Sequence, residues 1–161
     1  MAATALGTGG ADRVHTGTGM GAFLVDIKVL TDSGGTNSQA SLNGIQWMIN
    51  NKDTNWNNNE TSRGIDVGSM SFGSLSSPLN PGDEGDNGSG AEARLVNDAR
   101  DAGIVCIVAM GNDGTKRVPS PASADGAISI GAVNDRNTVN RTDDAMAVSY
   151  THLTLPTIPQ V

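Results

Sequence analysis

The amino-acid sequence predicts an α/β fold, doubly wound around a mainly parallel sheet. Short runs of apolar, often β-branched residues are typical of buried strands. Two segments with apolar residues at helical spacing separate these runs, and a helix between two strands implies parallel pairing with a right-handed crossover. We therefore expect helices on both faces of the sheet. The 161 residues are enough for one such domain.

The first half of the chain contains a strand, a helix and a second strand. The β-branched run 23–30 predicts the first strand. Apolar residues at helical spacing predict a helix over 38–52, with Ser38 as its N-cap. Residues 65–73 alternate between apolar and small or polar residues, which predicts the second strand.

The second half continues with a helix and two more strands. Ser89 and Glu92 form an S-x-x-E pattern, which predicts a capping box at the start of the second helix. Gly103 is placed to end that helix. Apolar runs predict the last two strands, over 104–110 and 127–133. The predicted order is therefore β-α-β-α-β-loop-β.

Composition and charge exclude several classes of protein. The net charge is −7, so the chain has no basic surface for nucleic acid. No stretch approaches the roughly 20 apolar residues that a membrane span needs. The one cysteine, Cys106, cannot form a disulfide within the chain and lies inside an apolar run. We expect it to be a small buried hydrophobic residue.

The apolar run 104–110 ends abruptly in the polar turn Gly111-Asn112-Asp113-Gly114. The strand 65–73 ends in the same way, at Gly73. In doubly wound sheets ligands bind at the carboxyl ends of the strands. The sequence therefore predicts a functional site where these two strands end.

Five segments of the chain stand in the order and at the spacing of one known family. They read "VDIKVL", "NGIQWMI", "GSMSFGS", "VAMGNDG" and "AISIGAVNDRN". They resemble the corresponding segments of the subtilisin-like serine proteases, the subtilases. The resemblance covers about residues 2–147 and implies that 1–147 are a partial subtilase catalytic domain, truncated at both ends. The parent protein would be a serine endopeptidase that acts through an acyl-enzyme.

The resemblance also implies roles for individual residues. Asn112 matches the asparagine that donates a side-chain hydrogen bond to the oxyanion of the tetrahedral intermediate. Met110 would either narrow the specificity pocket or point away from it into the core, and the core is favoured because methionine commonly fills gaps there. Two segments match the walls of the substrate cleft: Ser71, Phe72 and Gly73 on one side, and Ala109, Met110 and Gly111 on the other.

The catalytic triad of the family lies in three motifs: D-[ST]-G, H-G-T-x-V-A and G-T-S-M-A. We expect this chain to lack all three, and therefore to be inactive alone. His15 does not replace the histidine, because it lies in a loop before a strand. Asp26 lies within a predicted strand without a histidine partner, so we do not expect it to be catalytic.

The resemblance further implies a polypeptide substrate, a monomeric parent protein and a location outside the cell or on its surface. No cofactor is required. Structural calcium in the parent is allowed for, in the loop that matches Gly7–Gly21, where Asp12 is the only carboxylate. Residues 148–161 depart from the family, and "VSYTHLTLPT" resembles a reading frame of a sequencing adapter. We expect 148–161 to be a non-native tail.

Two other interpretations stay open. The chain could be a non-catalytic, subtilase-like binding module or pseudoenzyme that keeps the cleft without the triad. It could also be a flavodoxin-like cofactor-binding domain, which needs a phosphate loop after the first strand. The only candidate for that loop, 31–37, has few glycines and no lysine.

Overall fold

The structure of the chain is a computed structural model. Asp12, His15 and Asp113 lie outside the residues that the structure describes, as do 148–161. The described residues are 2–11, 14, 16–35, 38–56, 63–74, 85–112 and 117–147.

The described part of the chain alternates helices with short strands. Three parallel strands form one sheet, and two short antiparallel strands follow it. A 3-10 helix at Arg141–Asp143 precedes the last strand. The helices are α1 (Ala2–Leu6), α2 (Ser38–Asn50) and α3 (Ala91–Asp101); the strands are β1 (Val67–Met70), β2 (Val105–Ala109), β3 (Ala127–Ile130), β4 (Val133–Asn134) and β5 (Ala145–Met146).

The three-stranded sheet has the order β1-β2-β3, and both of its pairings are parallel, as predicted. Val67 pairs with Val105, and Met70 pairs with Val108. On the other side of β2, Ile107 pairs with Ile128. Because the two registers align the strands residue by residue, side chains of alternate residues form rows across all three strands.

One face of this sheet carries the hydrophobic core. Met70, Cys106 and Val108 point to that face and are at most 4% exposed. The helix α2 packs over β1, since a Cβ at Gly68 would lie 3.0 Å from the Met48 side chain. The helix α3 contacts α2, β2 and β3. The core residues of the helices are Ile45, Met48, Ala93, Val96 and Ala99.

The α/β fold with a parallel sheet is as predicted, and among the described residues only one face of that sheet is covered by helices. Val67, Val105, Ile128 and Ile130 point to the opposite, open face and are 48–57% exposed. Both long helices lie on the other side, where α3 contacts β2 and β3, and Met48 of α2 lies against Gly68 of β1. The three-stranded sheet is therefore buried on one face only.

The strand predicted over 23–30 is wrong. The segment has no ladder partner among the described residues, and Phe23 and Leu24 are about 60% exposed. It lies against α2, where a Cβ at Gly44 would meet Val29 Cγ1 at 2.6 Å. Only glycine at position 44 permits this approach. A β-branched run alone does not make a strand, because the strand needs a neighbour to pair with.

The other predicted elements exist but are shorter. The predicted helix 38–52 ends at Asn50, and the strand 65–73 is reduced to Val67–Met70. The predicted 127–133 splits, because β3 ends at Ile130 and β4 pairs with β5 instead. Within the described ranges, no helix has the length and apolar character that crossing a bilayer requires.

The capping box predicted at Ser89 and Glu92 does not form. Gly90 is the N-cap of α3, and no side chain caps it. Glu92 instead turns inward and is 6% exposed. At the other end the prediction is confirmed, since Gly103 follows the helix with φ +90° and its N–H donates to the Arg100 carbonyl at 2.8 Å.

Candidate active site

The two predicted walls of the cleft leave the same edge of the sheet. Ser71 directly follows β1, and Met110 directly follows β2. Since the last pair of the β1–β2 ladder is Met70 with Val108, the two walls start side by side. Neighbouring parallel strands lie about 4.8 Å apart. The structure thus brings the two segments together at the carboxyl edge, where the sequence predicts a site.

The exposure of the residues alternates along 71–73. Ser71 and Gly73 are exposed, whereas Phe72 is half-buried and packs against the core. The inward Phe72 fixes the segment to the domain. Ser71 and Gly73 therefore lie at the surface, beyond the end of the β1–β2 ladder.

A third segment, which the sequence analysis missed, lies against the first wall. The Ser74 N–H donates to the Ser120 carbonyl at 2.9 Å, and the Ser120 N–H donates back at 3.1 Å. A Cβ at Gly73 would lie 3.1 Å from Pro119 Cβ, so glycine allows the close contact. The proline-rich "VPSP" run was the only signal for this segment, and such a run does not reveal its partner.

The second wall turns sharply after β2. The Met110 N–H donates to the Ile130 carbonyl at 3.0 Å, which continues the line of the sheet. Gly111 then has φ +88°, a left-handed conformation that strongly favours glycine. Asn112 follows and is exposed. Met110 is half-buried and is not part of the buried core cluster.

A buried carboxylate connects the first wall to both long helices. Glu92 Oε1 accepts a hydrogen bond from the Ser41 hydroxyl of α2. Its Oε2 accepts one from the Ser74 hydroxyl at 3.4 Å. Glu92 itself lies in the first turn of α3, where a negative charge is favoured by the helix dipole. The residue thus links α2, α3 and the end of the first wall.

Asp86 organises the loop that leads into α3. Its carboxylate accepts hydrogen bonds from the N–H groups of Gly88 and Gly90, both at 3.1 Å. It also accepts one from the Ser123 hydroxyl. The Asp86 N–H donates to the Val118 carbonyl at 2.8 Å. This loop is therefore fastened to the segment that runs along the first wall.

One expectation about the triad motifs is wrong. The letters D-[ST]-G do occur, as Asp32-Ser33-Gly34. The Asp32 side chain is 93% exposed and pairs with Lys28. Neither histidine of the chain is among the described residues, so the structure gives Asp32 no histidine partner there. The motifs H-G-T-x-V-A and G-T-S-M-A are absent from the sequence.

The loop Gly7–Gly21, where the family resemblance allows for calcium, has one carboxylate, Asp12, which lies outside the described residues, so the calcium expectation stays a prediction. The carbonyls of Ala5 and Gly7 accept hydrogen bonds from Gly19 and Gly17, both at 2.7 Å. Within the described ranges, no group of three or more His, Cys, Asp or Glu could hold a metal ion.

Two surface grooves lie away from the candidate site. One, of about 580 Å³, runs between α2 and α3 and includes Leu42 and Leu95. The other, of about 610 Å³, lies between residues 24–28 and the stacked pair Trp47 and Trp56, whose ring centroids are 5.9 Å apart. Neither groove includes a residue of the two walls. The assignment of the site rests on the sheet edge rather than on cavity size.

Comparison with known proteins gives one consistent result. A family model described as "Subtilase family" matches residues 1–154. Serine protease AprX of Bacillus subtilis (strain 168) is 31% identical over 128 residues, which are 78% of this chain and 27% of that protein. Subtilisin E of the same strain is 33% identical over 125 residues, which are 75% of this chain and 27% of that protein.

A solved structure shares the fold. Sphericase superposes with a TM-score of 0.66 at 26% identity, over 91% of this chain and 42% of its own. The chain thus spans 27% of the two curated relatives and less than half of sphericase.

Proposed function

Because the chain belongs to the subtilase family of serine proteases, we propose that it is part of a serine endopeptidase and supplies two walls of the substrate cleft and one oxyanion donor. The observation that carries this proposal is the position of the two walls. Both leave the carboxyl edge of adjacent parallel strands, at Ser71 and Met110. That edge is where doubly wound folds bind their ligands.

The proposed substrate is a polypeptide in extended conformation. Residues 71–73 extend beyond the β1–β2 ladder, with Ser71 and Gly73 exposed and Phe72 held against the core. Such an edge can pair with the main chain of a peptide, as in other cases of strand addition. Ala109, Met110 and Gly111 would face the substrate from the other side. Main-chain pairing would set its register, and the second wall would select its side chains.

The proposed role of Asn112 is electrostatic. When a serine attacks a peptide carbonyl, negative charge develops on the carbonyl oxygen. A fixed amide N–H at that position stabilises the transition state more than the ground state. The turn at Gly111 and the exposure of Asn112 suit a donor that faces the cleft. Loss of such a donor costs about 2.7–4 kcal/mol, a magnitude that comes from the asparagine of a subtilisin itself and is transferred here.

On its own, the chain is proposed to be inactive. Acyl transfer needs a nucleophile and a base, and the sequence contains neither the serine motif nor the histidine motif. The nucleophile and base would come from parts of the enzyme outside these 161 residues. The parent is proposed to be monomeric and to act outside the cell or on its surface.

The first test is to sequence the source DNA on both sides of the codons for this chain. The proposal expects an H-G-T motif upstream and a G-T-S-M-A motif downstream. Native start and stop signals at Met1 and Val161 would contradict it. They would favour the non-catalytic binding module instead.

The second test applies to the full-length enzyme that the DNA encodes. Asn112→Ala is expected to lower kcat by about 100- to 1,000-fold with little change in KM, because the donor acts mainly in the transition state. Asn87→Ala, in an exposed loop position, is the matched control. An unchanged kcat in Asn112→Ala would remove the oxyanion role from this residue.

A further inference from the structure

The first wall of the cleft, residues 71–73, is held at its end by two separate attachments. Ser74, the next residue, forms a main-chain bridge with Ser120, in which each N–H donates to the other residue's carbonyl, at 2.9 and 3.1 Å. The Ser74 hydroxyl donates to Glu92 Oε2 at 3.4 Å. The bridge joins the wall to the segment that contains Ser120, whereas the hydroxyl joins it to the helix α3.

Glu92 is itself fixed in the interior of the domain. Its Oε1 accepts a hydrogen bond from the hydroxyl of Ser41, a fully buried residue of α2. Glu92 lies in the first turn of α3, where the helix dipole favours a negative charge. The two helices contact each other closely. The carboxylate is therefore a fixed acceptor at the end of the wall, rather than a surface side chain that can reorient.

The start of α3 also holds the other side of the Ser74–Ser120 bridge. Asp86 accepts a hydrogen bond from the N–H of Gly90, the N-cap of α3, at 3.1 Å. It also accepts one from the Ser123 hydroxyl, and its own N–H donates to the Val118 carbonyl at 2.8 Å. Both contacts flank Ser120 in the chain. Glu92 thus holds one side of the bridge, and Asp86 holds the other.

Packing alone does not require a carboxylate at position 92. Burial of a charge costs solvation free energy, whereas an apolar side chain of similar volume would be buried without that cost. The next residues on the buried side of the helix, Ala93 and Val96, are apolar. The carboxylate adds two acceptor oxygens, whose positions determine where the Ser41 and Ser74 hydroxyls lie.

We propose that Glu92 is a positioning residue for the substrate cleft, which acts through Ser74 to hold residues 71–73 where an extended peptide would pair with them. This inference rests on the proposed function, because it concerns the wall that the substrate would contact. Main-chain pairing needs donors and acceptors that are already in place, so a looser wall would bind an extended peptide more weakly. A substrate too short to reach the wall would be unaffected.

The first experiment needs no enzymatic activity and uses the chain itself. Amide hydrogen exchange, followed by NMR, is measured at positions 74 and 120 relative to the Val105 amide of the sheet, which corrects for a general loss of stability. Glu92→Leu and Ser74→Ala are expected to speed relative exchange by about fivefold or more, the equivalent of one lost hydrogen bond. Glu92→Gln, which can still bond to both hydroxyls, should stay within about twofold. Ser89→Ala, at an exposed position before α3, is the matched control.

The second experiment applies to the full-length enzyme and compares two substrates. One is a tetrapeptide anilide that reaches along the wall, and the other is a nitrophenyl ester of a single acetylated residue. Ser74→Ala and Glu92→Leu are expected to lower kcat/KM for the tetrapeptide by about fivefold, mainly through KM, and to leave the ester within about twofold. Glu92→Gln should restore the tetrapeptide value. A merely structural role would lower the rates on both substrates equally, because it changes the amount of folded enzyme.

Two results would overturn the inference: unchanged relative exchange in both Glu92→Leu and Ser74→Ala, or equal losses on the two substrates. If Glu92→Leu does not fold by circular dichroism, Ser74→Ala carries the same expectation, because Ser74 is exposed. Hydrolysis of neither substrate by the unsubstituted enzyme would overturn the proposed function. The exchange rates would then still support or overturn the attachment of the wall by Glu92, so the two failures are distinguishable.

Discussion

The two faces of the three-stranded sheet differ sharply, although the same strands form both. Val108 is fully buried, whereas Val105, three residues earlier in β2, is 48% exposed. The difference comes from the helices, since α2 and α3 both lie on one side. The residue types of the strands are apolar on both faces. The composition of the strands therefore indicates that both faces of the sheet favour burial. The positions of the helices determine which face is buried.

The largest expected effect compares the two faces directly. Val108→Asp should unfold the chain or lower its free energy of unfolding by several kcal/mol, because it buries a carboxylate without a partner. Val105→Asp should change it by less than about 1 kcal/mol, since the side chain can reach water. Urea denaturation followed by circular dichroism measures both. Equal losses in the two variants would mean that the open face is covered in solution.

Glu92 tests the polar connection on the covered side. Glu92→Ala should lower the free energy of unfolding by about 1–3 kcal/mol, because the Ser41 and Ser74 hydroxyls lose their acceptor. Asp98→Ala, at an exposed position of the same helix, is the control and should cost little. The urea midpoint gives both values. A cost for Asp98→Ala as large as that for Glu92→Ala would contradict the role of the buried carboxylate.

The stability of the folded chain depends on pH through Cys106, which lies on the covered face of the sheet. Burial raises the pKa of its thiol above the ordinary value of 9.0, so the folded chain keeps a proton that the unfolded chain releases. The stability is therefore fully present below pH 9.0 and decreases as the pH rises through the pKa of the folded state. The slope is at most about 1.4 kcal/mol per pH unit.

The measurement is urea denaturation of the chain and of Cys106→Ala between about pH 8 and pH 10. The difference between the free energies of unfolding of the two proteins should shrink or reverse as the pH rises. A parallel pair of curves would show that the thiol is not shielded. The open face can be compared through Ile128→Cys in the Cys106→Ala background, whose thiol should react rapidly with a disulfide reagent while native Cys106 reacts slowly.

The smallest expected effect concerns the turn that follows β2, at the carboxyl edge of the sheet. Gly111→Ala should cost about 1–2 kcal/mol, because φ +88° is strained for a residue with a Cβ. Gly35→Ala is the matched control, since a Cβ there would meet only Thr31 Oγ1 at 3.6 Å, an ordinary contact. Thermal unfolding of the two variants gives the comparison. A neutral Gly111→Ala would argue against the sharp turn before Asn112.

Local patterns predicted the elements that carry their own signal. The apolar spacing of α2 and α3, and the apolar runs of β2 and β3, were sufficient to place these elements within a few residues. The same signals placed both predicted cleft walls at the carboxyl edge. The buried state of Cys106 followed from its position in an apolar run, and it is 1% exposed.

Features that depend on a distant partner could not be predicted in this way. Residues 23–30 have the composition of a strand, but the local sequence does not reveal whether a second strand lies beside them. The contact of Ser74 with Ser120 joins segments on either side of α3 and β2. Glu92 fits a capping box by spacing, and only the packing of α2 against α3 turns it toward Ser41. Tertiary contact overrode the local preference in each case.

The central claim is that this chain holds a substrate cleft without a nucleophile. The most direct test is labelling with a fluorophosphonate, which reacts covalently with activated serines. The intact mass of the chain is measured after labelling, with a subtilisin as the positive control. We predict that the subtilisin is labelled on one serine and that this chain carries no adduct. An adduct on a single serine of the folded chain, lost when the chain is first unfolded in urea, would contradict the account.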